Sequence, residues 1–371
     1  MRIAFAAGGT GGHLYPAIAL ADALRERASI RFIGSADRME ARIVPDAGYQ
    51  LTAVASGPLQ GRSWAQSFRS TIANAIGTVQ ALRALRRFRP DVVIATGGYV
   101  CFPVMLAARM LRTAGFISAR LALLEPNAEL GLTNRMLLPL VDEVWGAYPP
   151  VNERLQKKFC KTGVPVRPAL LRPHNRVEAA RRLGLWPGRR TILVFGGSLG
   201  ARSVNVAVAA LVTRRALPDD WQILHVSGER DYAYMQAEEA EPFGGNAVKL
   251  VPYLSDPADA YAVADLVIAR AGASTLAELA AVGVPALLVP YPRASEDHQM
   301  RNARAFAATG AATVLPDADL NADALWWALR EMMAPERLSE LRYAARALAG
   351  NDAVATIAAR IDALISRKDA A

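Results

Sequence analysis

The sequence contains few cysteines and histidines and no long apolar run. Two cysteines, Cys101 and Cys160, cannot form a disulfide framework, and they fit a reducing compartment or plain core positions. The four histidines lie far apart and no Cys/His cluster has zinc spacing, so we predict no metal site. No stretch approaches the roughly 18 apolar residues that a membrane-spanning helix needs. The first residues also lack the apolar segment of a signal peptide, and we expect none.

Acidic residues are missing from one long segment. No Asp or Glu occurs between Asp46 and Asp91. Residues 1–166 contain 20 basic and 11 acidic residues, whereas residues 167–371 contain 23 of each, so the net charge of +9 lies in the first part. This asymmetry favours an anionic partner, although a solvated helix face would also explain it. We find no nucleic-acid-binding motif and no stacking array of aromatic residues, so we predict no nucleic-acid partner.

The organisation of the chain indicates two α/β domains. A length of 371 residues favours about two domains. Short apolar runs alternate with helical stretches, which predicts parallel sheets covered by helices. Residues 2–24 and 191–212 share one design, a strand, a glycine-rich turn and a helix, and each would open a doubly wound domain. The proline-rich segment 161–173 is the predicted linker, and residues 351–368 form a predicted terminal helix.

Three glycine-rich turns follow predicted strands, at Gly8–Gly12, Gly97–Gly98 and Gly196–Gly200. Backbone N–H groups in such a turn, with the dipole of the next helix, can hold a phosphate. None is a dinucleotide fingerprint, since Leu14 stands where the first turn would need its last glycine, and no Gly-Lys-Ser/Thr of a P-loop follows. NAD enzymes and NTPases are therefore disfavoured, and simple tight turns are the alternative.

His13 directly follows the first glycine-rich turn, at the carboxyl end of a predicted strand. Ligands of open α/β sheets bind at that edge. A helix N-terminus disfavours an imidazolium ion, so His13 is suited to act as a base, and a structural hydrogen bond is the alternative.

A second candidate site lies in the later half. Residues 270–278 follow a predicted strand and open a helix, so their N–H groups could hold a diphosphate and Glu278 the hydroxyls of a ribose. The pair Thr275 and Glu278 also fits a capping box. The loop after the next strand carries the polar run 296–299 and Asn302. These side chains are suited to bind sugar hydroxyls, and an ordinary solvated loop is the alternative.

The order and spacing of these motifs extend over nearly the whole chain. They are Gly8–His13, Gly34–Glu40, Gly97–Val100, Gly131–Arg135, Gly163–Arg167, Gly196–Ala201, Gly272–Glu278 and Asp297–Gln299 with Asn302. In the order and spacing of these motifs, the chain resembles the MurG family. Members transfer N-acetylglucosamine from UDP to undecaprenyl-diphosphate-linked N-acetylmuramoyl-pentapeptide in peptidoglycan synthesis.

The resemblance implies an α/β fold of the GT-B type, with two Rossmann-like doubly wound domains facing a cleft. The first, at 1–166, would face the acceptor and the membrane, and the C-terminal helix at 350–371 would pack back on it. The second, at 167–349, would bind the UDP-sugar donor. The resemblance also implies a peripheral enzyme on the cytoplasmic face of the bacterial plasma membrane, with no tightly bound cofactor.

The resemblance assigns roles to residues of the first domain. His13 and Glu125 would be the catalytic residues, with His13 as the base or an essential positioner in an inverting single displacement that needs no metal. Substrate contacts there would be Thr10, Gly11, Gly12 and Asn127. The one Asp-x-Asp sequence, Asp317-Ala-Asp319, is interpreted as a helix start and not as a metal site.

The resemblance likewise assigns the donor contacts. The diphosphate would meet Arg167, Ser198 and the amides of Ala273, Ser274 and Thr275. The backbone of Leu254 would read the uracil, and Glu278 would hold the ribose. The sugar would lie against His298, Gln299 and Asn302.

Two segments depart from the family pattern, both on the acceptor side. Leu124 and Pro126 stand where the family has histidine and glutamine, and Cys101 and Phe102 where it has serine and glycine. Donor binding is therefore better supported than the acceptor. The alternatives are a GT-B transferase that uses a UDP-sugar on another lipid, a UDP-sugar epimerase, and a UDP-sugar binder without turnover.

The basic region 62–89 has helical spacing of its apolar residues. We expect this apolar stripe to face the core, and the arginines with Trp64 to contact anionic lipid headgroups. The stripe consists of Phe68, Ile72, Ile76, Val79 and Leu82.

Overall fold

The computed structural model divides the chain into two units, Met1–Arg167 with Asn351–Ala371, and Pro168–Gly350. The structure describes residues 1–58, 63–149, 156–197, 200–214, 217–238, 247–254, 256–349 and 352–369.

A parallel sheet of seven strands in the order β3-β2-β1-β4-β5-β6-β7 forms the centre of the first unit. Its strands are β1 (Arg2–Ala7), β2 (Ser29–Gly34), β3 (Leu51–Ala53), β4 (Val92–Gly97), β5 (Arg120–Glu125), β6 (Glu143–Gly146) and β7 (Phe159–Lys161). Its first helices are α1 (Gly11–Leu24), α2 (Glu40–Asp46), α3 (Trp64–Phe88), α4 (Cys101–Thr113) and α5 (Leu132–Leu137).

The second unit repeats this design with a parallel sheet in the order β10-β9-β8-β11-β12-β13. Its strands are β8 (Arg190–Phe195), β9 (Trp221–Val226), β10 (Val248–Val251), β11 (Ala264–Ala269), β12 (Ala286–Leu288) and β13 (Ala312–Val314). Its helices are α6 (Arg176–Arg182), α7 (Arg202–Arg214), α8 (Glu229–Glu238), α9 (Ala258–Val263), α10 (Ala273–Val282), α11 (His298–Ala307), α12 (Ala322–Met333) and α13 (Pro335–Leu348). Both sheets reverse their strand order beside the first strand, as in Rossmann folds, and the predicted α/β class is confirmed.

The strands are apolar throughout because helices cover both faces of each sheet. In β1, Ile3 and Phe5 pack on one face, whereas Ala4 and Ala6 belong to the core on the other face. This explains why β1 shows no polar alternation in the sequence.

The terminal helix α14 (Ala353–Asp369) is part of the first unit. Ile357, Ile361 and Leu364 are buried in the core that also contains Phe5. The Nε atom of Arg360 donates to Oε2 of Glu143 at 3.0 Å, and its Nη2 atom donates to Oε1 of the same carboxylate.

Helix α3 turns its apolar stripe outward, so the prediction that the stripe faces the core is wrong. Trp64 is 81% exposed, and Phe68, Ile72, Ile76 and Val79 are all exposed. Leu82 packs partly against the core. The buried face instead carries mostly small and polar residues, namely Ser70, Asn74, Gly77, Thr78 and Ala81, and it ends with the larger Leu85.

The physical reason is the close approach of α3 to the segment 55–57. A Cβ atom at Gly77 would collide with the carbonyl oxygen of Ala55. Asn74 fixes Gly57 from both sides, since its Oδ1 accepts the Gly57 N–H at 3.0 Å and its Nδ2 donates to the Gly57 carbonyl at 3.2 Å. Large apolar side chains therefore do not fit beside Gly77. Among the described residues, no helix is long and apolar enough to cross a membrane.

Candidate active site

The predicted glycine-rich turns lie where the strand order of each sheet reverses. Gly8–Gly12 follows β1, and Gly97–Gly98 lies at the end of β4, which is the neighbour of β1 in the first sheet. Gly196–Gly197 and Arg270–Gly272 follow β8 and β11, which are neighbours in the second. Ligands of open α/β sheets bind outside the carboxyl ends of strands at this point. The topology therefore provides one candidate site in each unit.

In the first unit the two turns touch, and His13 lies between them. Gly97 and Gly98 have φ of +113° and +88°, which strongly favours glycine. A Cβ atom at Gly98 would collide with the carbonyl oxygen of Gly8, and one at Gly97 with Nδ1 of His13. The imidazole ring therefore packs directly on the backbone that ends β4.

The N-terminus of α1 begins in the first turn. Thr10 is the N-cap residue in an extended conformation, and its side chain makes no capping hydrogen bond. The N–H of His13 bonds to the Thr10 carbonyl at 3.2 Å. The first turn of α1, with Gly11 and Gly12, thus presents backbone at the carboxyl edge of the sheet, as an anion-binding turn does.

Glu40 is a positioning residue that sequence reasoning did not single out. Its carboxylate is fully buried. Oε2 accepts the N–H of Gly9 at 3.0 Å, and Oε1 accepts the N–H of Ser35 at 3.0 Å. It thus ties the first glycine turn to the end of β2 through charge-assisted bonds. Only its membership of the Gly34–Glu40 motif marks it in the sequence.

Both carboxylate oxygens of Glu125 accept hydrogen bonds from the segment after β5. Oε1 accepts the backbone N–H of Asn127 at 3.0 Å and its side-chain Nδ2 at 2.8 Å. Oε2 accepts the N–H of Gly131 at 3.2 Å and Nδ2 of Asn134 at 2.9 Å. A carboxylate has about four lone-pair sites. The geometry therefore favours Glu125 as a positioning residue for Asn127 over a proton acceptor.

Cys101 fills a structural position at the end of β4. Its Sγ lies 2.9 Å from the Gly97 carbonyl oxygen and 3.1 Å from that of Ala6, and it accepts the Gly97 N–H at 3.3 Å. Burial raises the pKa of the thiol to about 12, so it stays protonated and unreactive. A serine hydroxyl could make the same contacts.

The side chains at the other departures from the family pattern are buried or partly buried. Leu124 is fully buried in the core that contains Phe5, and Phe102 packs partly against the core beside α4. Pro126 is buried as well. These residues therefore contribute to packing at the strand ends.

In the second unit, α10 begins at Ala273 after an extended N-cap, Gly272, that has no side-chain cap. Thr275 lies inside the first turn, so the capping-box interpretation is wrong. Glu278 instead accepts a hydrogen bond from the Tyr261 hydroxyl at 2.9 Å. The amides of the first turn and the Glu278 carboxylate thus flank the end of β11.

Ser274 lies in the same first turn. Its Oγ atom is buried and has no hydrogen-bond partner among the residues that the structure describes. A hydroxyl in this position can bond to a ligand oxygen at the helix N-terminus.

The first two turns of α11 are fixed to the rest of the second unit by hydrogen bonds. Gln299 accepts the N–H of Tyr291 at 2.9 Å. Asn302 is buried, and its Nδ2 donates to the carbonyl of Ala271 at 3.3 Å. Asn302 therefore joins α11 to the turn after β11, and the two predicted donor segments lie together.

The backbone before His298 is strained. Glu296 and Asp297 have φ of +51° and +55°, which side chains rarely adopt. His298 Nε2 lies 3.9 Å from Oε2 of Glu296. Strain of this kind concentrates at ligand-binding segments, because surrounding contacts hold it in place.

Arg270 is the second positioning residue that the sequence did not reveal. Its Nη1 donates to Asp317 Oδ1 at 2.5 Å and to the carbonyls of Val289 and Pro290, and its Nη2 donates to Ser203 Oγ at 2.8 Å. The buried guanidinium thus holds three segments at the carboxyl edge of the second sheet.

The sequence Asp317-Ala-Asp319 precedes α12, as expected, but it does not cap that helix. It forms a separate 3-10 turn, and Asn321 caps α12 by accepting two N–H bonds. Within the described ranges, no group of His, Cys, Asp and Glu side chains has the arrangement of a metal site.

Arg167, Leu254 and Ser198 are the other predicted donor contacts. The Arg167 guanidinium stacks over the Tyr15 ring of α1 at 5.8 Å, within the first unit. Leu254 is half-buried and follows β10. Ser198 lies outside the described residues.

Comparison with known proteins gives the chain a family. The glycosyltransferase family 28 N-terminal domain matches residues 3–145, and the corresponding C-terminal domain matches residues 191–360. The UDP-N-acetylglucosamine–N-acetylmuramyl-(pentapeptide) pyrophosphoryl-undecaprenol N-acetylglucosamine transferase of Halothermothrix orenii is 39% identical and covers 90% of both chains. The protein of the same name from Alkalilimnicola ehrlichii is 40% identical and covers 96% of this chain and 97% of its own.

Solved structures of glycosyltransferases have the same fold as this chain. The crystal structure of Acinetobacter baumannii MurG matches with a TM-score of 0.78 and 28% identity, covering 98% of this chain and 99% of its own. CalG4, the calicheamicin glycosyltransferase, has a TM-score of 0.67 at 16% identity over 99% of this chain and 98% of its own, which shows the shared fold alone. The chain therefore belongs to glycosyltransferase family 28 and, within it, to the MurG family of N-acetylglucosamine transferases.

Proposed function

We propose that this protein transfers N-acetylglucosamine from UDP-N-acetylglucosamine to the C4 hydroxyl of undecaprenyl-diphospho-N-acetylmuramoyl-pentapeptide. The main support is the family relationship over nine-tenths of the chain or more at 39–40% identity. The candidate site in each unit, at the reversal point of its sheet, agrees with a two-substrate enzyme.

The second unit binds the donor in this proposal. The amides of Ala273, Ser274 and Thr275 hold the diphosphate at the uncapped N-terminus of α10, where the helix dipole favours negative charge. Glu278, oriented by Tyr261, accepts hydrogen bonds from the ribose hydroxyls. The remaining donor contacts are Leu254 to the uracil, Arg167 and Ser198 to the diphosphate, and His298, Gln299 and Asn302 to the sugar.

The first unit binds the lipid acceptor, with Thr10, Gly11, Gly12 and Asn127 as its contacts. The acceptor C4 oxygen attacks the anomeric carbon of the donor sugar, the bond from that carbon to the UDP oxygen breaks, and His13 takes the hydroxyl proton. The configuration at the anomeric carbon inverts. Charge on the departing diphosphate is stabilised by the α10 N-terminus and Arg167, so the step needs no bound cofactor.

The interior position of Cys101 and Leu124 supports the peptidoglycan acceptor. Because these two side chains pack into the core, their difference from the family pattern does not by itself alter the surface offered to the acceptor. A transferase for another lipid remains the competing outcome of the test.

The direct test is a transfer reaction with UDP-N-acetylglucosamine and a short-chain analogue of the muramoyl-pentapeptide diphospholipid, followed by mass spectrometry. We expect a disaccharide-lipid product in equal amount to released UDP. Absence of product, with UDP binding intact by calorimetry, would contradict the proposed acceptor. Hydrolysis of the donor without transfer would contradict the reaction type.

The role of His13 is tested by His13→Ala and His13→Gln. We expect kcat to fall by about 10²–10⁴-fold, as for removal of a general base, while the affinity for UDP and the thermal stability stay unchanged. If His13 is the base, the acidic limb of the pH profile of kcat disappears in both variants. Near-normal turnover in either variant would rule out the assignment.

We also propose that α3 and its arginines bind the protein to an anionic membrane surface, in keeping with a peripheral enzyme on the cytoplasmic face of the plasma membrane. The support is the exposed apolar stripe from Trp64 to Val79, which continues into Arg83, Arg86 and Arg87. An amphipathic helix of this type lies in the interface and gains from anionic lipids. Binding to neutral vesicles equal to that of anionic vesicles would contradict the role of the arginines.

A further inference from the structure

A cavity of about 530 Å³ opens at the amino-terminal edge of the first sheet, opposite the candidate active site. Arg2 and Arg120 begin β1 and β5, and Asp91 precedes β4, so three strand starts contribute to it. Arg89 follows α3, and Phe116 follows α4. The volume is in the range of small-molecule sites. Nothing in the proposed transfer reaction uses this cavity.

The lining is strongly basic. It contains four arginines, with Arg112 as the fourth, against the single carboxylate of Asp91. Arg112 is already fixed, since its Nη1 pairs with Asp142 Oδ2 at 2.5 Å. Among the residues that the structure describes, no ion pair involves the side chain of Arg2 or Arg89. The cavity therefore keeps an excess of positive charge that an anion would neutralise.

Arg89 occupies a backbone position that usually belongs to glycine. It ends α3 in the left-handed conformation, with φ 49° and ψ 64°, and its N–H bonds to the Leu85 carbonyl at 2.7 Å. Glycine is the common residue there, and a side chain costs about 1–2 kcal/mol. A strained arginine at the rim of a basic cavity points to a use for its guanidinium.

We propose that this cavity binds a phosphate group. Guanidinium groups bind phosphate oxygens in paired hydrogen bonds. Arg2 and Arg89 contribute two such groups to the lining of this cavity. Two sources share this chemistry, a phospholipid headgroup and a free phosphate ester. The headgroup is consistent with the connection to α3, because Arg86 of that helix stacks over the Phe116 ring at 4.6 Å.

The site is tested by calorimetry on the full chain saturated with UDP, which occupies phosphate sites of the donor unit. The probes are inorganic phosphate, glycerol 3-phosphate and a short-chain phosphatidylglycerol below its micelle concentration. The test variant is Arg2→Gln with Arg89→Gly, in which glycine suits the left-handed backbone. Arg42→Gln, which replaces an exposed arginine of α2 outside the cavity, is the matched control.

We expect the wild type and Arg42→Gln to bind the phosphate esters, and the double variant to bind them at least tenfold more weakly. The double variant should keep its transfer activity in detergent, with a thermal stability equal to or above that of the wild type, because glycine relieves the left-handed backbone at position 89. Tighter binding of the short-chain lipid than of glycerol 3-phosphate would identify a headgroup site, and equal binding a site for free phosphate esters. Equal affinity of the double variant and the wild type, or no binding by the wild type, would overturn the proposal.

Discussion

Replacing Trp64 by serine tests whether the outward stripe of α3 enters a membrane. About four-fifths of the Trp64 side chain is exposed, and it stacks on Phe68 with ring centroids 5.6 Å apart. A tryptophan offers roughly 200 Å² for burial. At about 25 cal/mol per Å², complete insertion of the exposed part would release about 4 kcal/mol.

A helix lying in the interface inserts only partly, so we take half of this value, about 2 kcal/mol. Because about 1.4 kcal/mol corresponds to a factor of ten, Trp64→Ser should weaken partitioning by about 30-fold. The folded state should be unaffected, since the side chain contributes little to the core.

The assay is flotation with vesicles of phosphatidylglycerol and phosphatidylcholine at low and high salt. The matched control is Trp186→Ser, because Trp186 is 67% exposed but belongs to the second unit. We expect the control to bind like the wild type, and added salt to weaken binding of all variants without abolishing it. Equal losses in both variants, or wild-type binding by Trp64→Ser, would refute the reasoning.

Three further predictions concern the interior and the donor site. Cys101→Ser should retain stability and activity, and Cys101 should resist alkylation in the folded protein, because burial holds the pKa of its thiol at about 12; rapid labelling detected by mass spectrometry would contradict this. Burial lowers the pKa of His225 to about 4, so the unfolded chain binds a proton at this residue before the folded chain does as the pH falls below about 6.5. About 3 kcal/mol of the free energy of unfolding should therefore be lost by pH 4. Urea unfolding should show a smaller loss for His225→Asn than for the wild type. Tyr261→Phe should raise KM for UDP-N-acetylglucosamine about 2–10-fold with little change in kcat, because it removes one hydrogen bond that orients Glu278, and an unchanged KM would argue against that orientation.

Local sequence signals were sufficient to predict the fold class and the number of domains. The alternation of apolar runs and helical stretches indicated two parallel α/β domains, and the structure has two parallel sheets with the same strand order. The glycine-rich turns were visible because a turn between a parallel strand and a helix depends on only a few consecutive residues. The family resemblance rested on such short segments.

Side-chain roles that depend on distant segments were not visible. The contact between Glu40 and Gly9 spans 31 residues, and that between Arg270 and Asp317 spans 47. Thr275 and Glu278 have the spacing of a capping box, yet the packing of α10 starts the helix at Ala273.

The sequence by itself determined which elements form and where the glycine turns fall, because both depend on local backbone preferences and hydrophobic periodicity. Only the tertiary structure decided which face of α3 is buried. Hydrophobicity favours burial of Phe68 and Ile72. The close approach at Gly77, however, leaves room only for small side chains in that part of the buried face, so sterics outweigh the gain from burying the larger ones. The apolar stripe was therefore left at the surface, where a membrane can bury it.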